Sequence, residues 1–200
     1  MMRRLSDIPL AVRAAVVALA LSGVLFWMIW DRAQLLRTGR EIVLKTRPID
    51  PRDIFRGHYA RLEYDISRIP NERIAGLRDS RVKRGRVIHV ILRPPAAAGD
   101  GFWTLAGASL SWPREVPPGG VVMRGRVVYA YSGEVRARYG IERYYASKKR
   151  ALEVERLGRR PAPPEDLRPL GVIVRVSPSG KAAIAGLMID GRKVYEEPIW

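Results

Sequence analysis

Hydrophobic positions in this chain fall into two regimes. From Ala14 to Trp30 there is no charge at all (AAVVALALSGVLFWMIW). Beyond residue 40, apolar and polar residues alternate in short runs. The first regime predicts a helix. Its 17 residues give about 25 Å, slightly less than a hydrocarbon core of about 30 Å. Extension back to Ile8 takes in Arg13, whose guanidinium can snorkel to the headgroups. Trp27 and Trp30 stand where an interfacial aromatic belt would be. A cleaved signal peptide would turn polar soon after its small residues, here Ala18 and Ala20, yet apolar sequence continues for about ten residues. A buried core helix would show a polar face, which this run lacks. The expectation is an uncleaved signal anchor over 8–30, a short cytoplasmic head over 1–7 and a juxtamembrane linker over 31–40. Arg3, Arg4 and Arg13 on one side, and Arg32, Arg37, Arg40, Lys45 and Arg47 on the other, leave the positive-inside count undecided. Long domains translocate largely regardless of charge, which puts the remainder outside the cytoplasm.

The second regime predicts strands, because period-2 alternation makes one face apolar. Glu41–Thr46 is a strand. Residues 60–66 alternate strictly: Ala60, Leu62, Tyr64 and Ile66 on one face, Arg61, Glu63 and Asp65 on the other. Asn71–Lys83 reads as a short helix or loop. Arg86–Leu92 is a strand stopped by Arg93-Pro94-Pro95, and Phe102–Trp112 is a strand interrupted by Gly107. Val121–Tyr131 and Glu134–Tyr145 form a hairpin through Ser132-Gly133. Met123, Val127 and Tyr129 are expected on one face of its first strand. Val135, Ala137, Tyr139 and Ile141 are expected on one face of its second. A strict two-residue turn would mix the faces, so a bulge or longer loop must adjust the register. Ser147–Leu157 is a helix candidate and Gly158–Asp166 a Pro-rich loop. The C-terminal part reads strand, turn, strand, Asp-Gly turn, strand. The expected fold is mainly β, an antiparallel sandwich or open barrel in one domain over 41–200, with one transmembrane helix and one short helix.

The densest stretch runs from Asp50 to Ile66, DPRDIFRGHYARLEYDI. Asp50-Pro51 and Asp53 form a turn: proline fixes φ, and aspartate bonds nearby backbone N–H groups. Tyr59 then projects opposite to Leu62 and Tyr64. With Gly57, Tyr59, Leu62 and Tyr64 behind Asp50-Pro51-Arg52-Asp53, the chain resembles the GDYXXLXY family of membrane-anchored bacterial proteins. His58 stands where the family has Asp. Tyr139-Gly140-Ile141-Glu142-Arg143-Tyr144-Tyr145 is similar to the second family motif, although Ala146-Ser147-Lys148-Lys149 replaces its Glu- and Gly-rich turn. Gly180 and Asp190-Gly191 also match. The resemblance implies an inner-membrane protein with its domain outside the cytoplasm, and a multi-span membrane protein as partner beside the lipid bilayer. It carries no established activity.

Composition changes the picture in two ways. Net charge is +16, from 30 Arg and 6 Lys against 20 acidic residues. The basic residues alternate along strands and form no long run, so a solvated face is expected and no nucleic-acid partner. Cysteine is absent, which excludes disulfides, thiolate metal sites and a thiol nucleophile. Candidate carboxylates are Asp50, Asp53, Glu63, Asp65 and Glu142. They would serve acid–base chemistry or bind a hard cation, or else make Asx turns and balance arginines. Glu142 is expected to pair with Arg52, Arg56 or Arg138. His58 and His89 have no metal-ligand spacing, so no metal and no cofactor is expected. Candidate binding residues are thus Asp50, Arg52, Asp53, Arg56, Gly57, His58, Tyr59 and Glu142. Arg124, Arg126, Arg136 and Arg138 add a basic sheet face. The leading expectation is a non-enzymatic binding or scaffold module. The alternatives are an envelope hydrolase using Asp53, Glu142 and Tyr59, and a binder of anionic lipid through the basic face.

Overall fold

The structure is a computed structural model, which describes residues 9–46, 59–77, 82–96, 101–131, 133–145, 170–189 and 191–196. The one α-helix among the described residues, α1 (Leu10–Thr38), begins after Pro9, whose carbonyl accepts the first N–H bonds, from Val12 and Arg13. Its 29 residues span about 43 Å. The apolar part is exposed on every side, and the helix is long and apolar enough to cross a membrane. The residues expected as a linker are helical as far as Thr38.

Gly39 alone separates α1 from strand β1 (Arg40–Lys45). Its N–H bonds Leu35 O at 3.0 Å. A Cβ there would collide with that same carbonyl and sit 3.1 Å from the Cβ of Arg175. The chain can therefore turn from helix to strand only at a residue without a side chain. From β1 onward, alternation sets burial: Ile42 and Leu44 point inward.

β1 is the edge of a four-stranded antiparallel sheet with β10 (Gly171–Val176), β11 (Ala182–Ile189) and β12 (Arg192–Glu196), in the order β1-β10-β11-β12. A six-stranded sheet holds β3 (Arg68–Pro70), β4 (Ile74–Ala75), β5 (Val87–Arg93), β6 (Thr104–Ser109), β7 (Val121–Tyr131) and β8 (Glu134–Arg138), in the order β3-β8-β7-β5-β6-β4. Only β4–β6 is parallel among its pairs. β2 (Tyr59–Arg61) and β9 (Arg143–Tyr145) form a third, antiparallel pair.

Two seams join the larger sheets. Trp103 N–H bonds Val43 O at 2.9 Å on one side, and Arg124 N–H bonds Gly180 O at 2.8 Å on the other. The result is a nearly closed, barrel-like sheet around one core that includes Ile42, Leu44, Tyr64, Ile88, Leu92, Met123 and Val174. The fold is thus mainly β, as the alternation predicts.

Three local expectations change. The β7–β8 hairpin does carry a bulge, between Val127 and Tyr129. The extra residue reverses the faces beyond it, so Tyr129 lies with Arg136 and not with Met123 and Val127. The strand expected over Glu134–Tyr145 is two strands, because Gly140 adopts φ +83° and turns the chain. Burial alternates over 62–66 as expected, yet only Tyr59–Arg61 is a strand; Asp65–Ser67 is a 3₁₀ turn. The helix expected over 147–157 and the loop after it lie outside the described residues, as does the turn over 47–58.

Gly39→Ala is expected to destabilise the domain by about 1–3 kcal/mol through overpacking at the junction. Gly23→Ala, where nothing approaches within 4 Å, should be neutral or slightly stabilising, since alanine is the better helix former. Thermal unfolding of the two variants side by side checks this.

Candidate functional site

The two motif segments meet. β2 pairs with β9 in the register Tyr59↔Tyr145, Ala60↔Tyr144, Arg61↔Arg143, and Leu62 N–H extends the pairing to Glu142 O at 2.8 Å. Below this ladder, two buried tyrosines reach across in opposite directions. Tyr64 Oη donates to Ile141 O at 2.7 Å, and Tyr139 Oη donates to Ile66 O at 2.5 Å. Each segment thus supplies a hydroxyl to the other's backbone.

The turn that aims Tyr139 is built by Glu142. Its carboxylate accepts Tyr139 N–H at 2.5 Å and Gly140 N–H at 3.0 Å. Among the described residues its hydrogen-bond donors are those backbone groups; Arg52 and Arg56, two of the arginines expected to pair with it, lie outside the described residues. This occupies Glu142; of the other carboxylates expected for acid–base chemistry, Glu63 and Asp65 are described, and Asp50 and Asp53 lie outside the described residues. Gly125 of β7 completes the arrangement: a Cβ there would lie 2.9 Å from the Tyr139 ring. Burial, and next the Glu142 charge, push both hydroxyls well above the ordinary tyrosine value.

Of the other binding candidates, Asp50, Arg52, Asp53, Arg56, Gly57 and His58 lie outside the described residues. Tyr59 is placed by its backbone, opposite Tyr145. Among the described residues no group of three His, Asp or Glu could hold a metal ion. His89 is the third residue of β5, edge-stacked on Trp112 at 5.2 Å, and burial lowers its imidazole below the usual value.

A family model described as GDYXXLXY protein matches residues 21–187, most of the chain. The chain belongs to the GDYXXLXY family. No curated protein and no solved structure matches it. In this GDYXXLXY protein, Leu62 and Tyr64 of the first motif are buried, and Tyr64 bonds the second motif. Packing and hydrogen bonding therefore account for that half of the motif.

The basic residues divide in two. Arg136 donates to Tyr129 Oη at 2.8 Å and pairs with Glu63 at 2.6 Å. Glu63 also meets Arg68 at 3.6 Å. Arg124, Arg126 and Arg138 instead line a groove of about 470 Å³ together with Arg84 and Glu142. Arg84 was missed by strand alternation because it sits in the turn before β5; the basic run Lys83-Arg84-Gly85-Arg86 is its only sequence signal. The groove's chemistry is positive charge and hydrogen-bond donation.

Raised tyrosine values give a pH prediction. A hydroxyl harder to ionise in the folded state contributes stability that is complete below the unfolded value, about pH 10, and is lost as pH rises further. Unfolding free energy should fall above about pH 10 by up to about 1.4 kcal/mol per pH unit for each of Tyr64 and Tyr139. Ultraviolet titration should show both ionising only with unfolding. The steep fall should lessen in the Tyr64→Phe and Tyr139→Phe variants.

Proposed function

We propose that this GDYXXLXY protein is a single-pass protein of a bacterial inner membrane, with an extracytoplasmic β domain that binds or scaffolds another membrane protein. The supporting observation is the helix–domain junction. α1 runs without a break from its apolar part to Gly39, and three contacts fix its end. Leu35 is buried against the domain. Arg175 donates to Gly39 O at 3.2 Å. Lys181 pairs with Asp31 at 2.8 Å. Each surface ion pair is weak alone, but a buried anchor with a glycine-limited turn leaves little swivel. A domain so held presents one constant side to the bilayer and another to neighbours in the membrane plane. That suits an accessory subunit better than a tethered free-ranging enzyme.

The absence of cysteine makes the topology easy to test. Glu115→Cys is expected to react with a membrane-impermeant maleimide in spheroplasts, whereas Ser6→Cys should react only after lysis. Crosslinking in intact membranes, followed by mild detergent extraction, should recover the chain with a multi-span membrane protein at fixed stoichiometry. Recovery of the chain alone would contradict the accessory role.

A further inference from the structure

The arginine groove begins where the apolar part of α1 ends. Asp31 directly follows Trp30 and pairs with Lys181. Gly180, next to Lys181, accepts the backbone N–H of Arg124 at 2.8 Å. One ion pair and one hydrogen bond therefore connect the end of the apolar run to the first arginine of the groove. Arg126 follows on the same face of β7, and Arg138 stands directly opposite it on β8.

This placement works against the sheet. Like charges directly opposite one another destabilise a strand pair. Arg136, on the same face of β8, is matched by Glu63. Within the groove the carboxylate is that of Glu142, and its two oxygens are held by Tyr139 and Gly140 N–H. Arg126 gives one bond, to Gly85 O at 3.4 Å, a neutral carbonyl at long range. Among the described residues, four arginines (Arg84, Arg124, Arg126 and Arg138) thus share one carboxylate in the groove, and positive charge is in excess.

We propose that this groove binds the phosphate groups of anionic lipid headgroups in the leaflet from which α1 emerges. The proposal rests on the membrane-anchor reading, which puts the bilayer surface near Trp30. Guanidinium groups bind phosphate oxygens through paired N–H donors. Basic residues next to an anionic leaflet are attracted to it within a Debye length. Trp112 adds an interfacial feature: it is 47% exposed, it packs on His89, and His89 pairs with Arg124 in the sheet. Tryptophan favours the headgroup level. An acidic protein or a nucleic acid would meet the same charge, but neither accounts for its position beside the span.

Native mass spectrometry of the full-length protein in mixed micelles tests this. Phosphatidylglycerol should be retained over phosphatidylcholine by about tenfold at low salt, and less as salt rises. Arg124→Gln, Arg126→Gln and Arg138→Gln combined should abolish the preference, whereas Arg136→Gln should preserve it. The triple variant should unfold no earlier than the parent, since it relieves repulsion. Arg124→Gln alone should show a partial loss, which serves should the triple variant not fold. Equal retention of the two lipids, or a preference that survives the triple change, overturns the proposal. So does displacement of the lipid by equimolar inorganic phosphate or single-stranded oligonucleotide. Extraction of the protein from membranes by alkaline carbonate would instead overturn the anchor reading.

Discussion

The pair of crossed hydroxyl bonds, Tyr64 to Ile141 O and Tyr139 to Ile66 O, is the constraint on which the rest of the domain depends. A buried hydroxyl or carbonyl without a partner costs about 1–3 kcal/mol. Here each ring satisfies one carbonyl of the opposite segment, so neither segment can shift without stranding polar groups of both. The surroundings serve this geometry. Glu142 fixes the turn that starts at Tyr139, Gly140 supplies its positive φ, and Gly125 leaves space for the ring. Tyr64 also bridges to Thr46 just past the end of β1, and Thr46 bonds Leu170 O through both N–H and Oγ1. The lock thereby reaches the strand that carries the anchor helix.

From that strand, order extends toward the helix and charge is distributed along the way. Glu41 of β1 pairs with Arg175 at 2.6 Å and with Lys193 at 3.2 Å, tying β1 to β10 and β12. Arg175 in turn holds Gly39 at the junction. Glu63 does the same service for Arg136 and Arg68. With 20 acidic residues against 36 basic ones, such matching cannot extend everywhere. The groove at Arg124, Arg126 and Arg138 is one place where it stops.

Much of this was legible as pattern. Period 2 gave β1, β5 and β7, because inward positions such as Ile88, Val90 and Leu92 must be apolar for a single core; β10 and β11 were marked by the turns that bound them. Parity at Ser132-Gly133 required a bulge or a longer loop, and the structure has the bulge. Its location at Val128 was not legible, since Val127, Val128 and Tyr129 all suit a strand, and so Tyr129 was assigned to the wrong face. The break at Gly140 was hidden by apolar residues that continue to alternate through it. Its signal was local, a glycine followed two residues later by a carboxylate able to cap the turn. The crossed tyrosines could not be seen at all, because they join positions 77 and 73 residues apart. Of the candidate site, the basic face was readable from alternation. Its division into a matched arginine and an unmatched groove depends on Glu63, which reaches it from another part of the chain.

Hydrogen exchange on the Tyr64→Phe variant probes the crossed lock most directly. If the two segments hold one another, loss of the Tyr64 hydroxyl should lower protection at the ladder amide of Leu62 and also in the distant segment, at Tyr139 and Gly140. If protection falls only near residue 64 and the Tyr139–Glu142 turn exchanges as before, the segments are independent and the account is wrong.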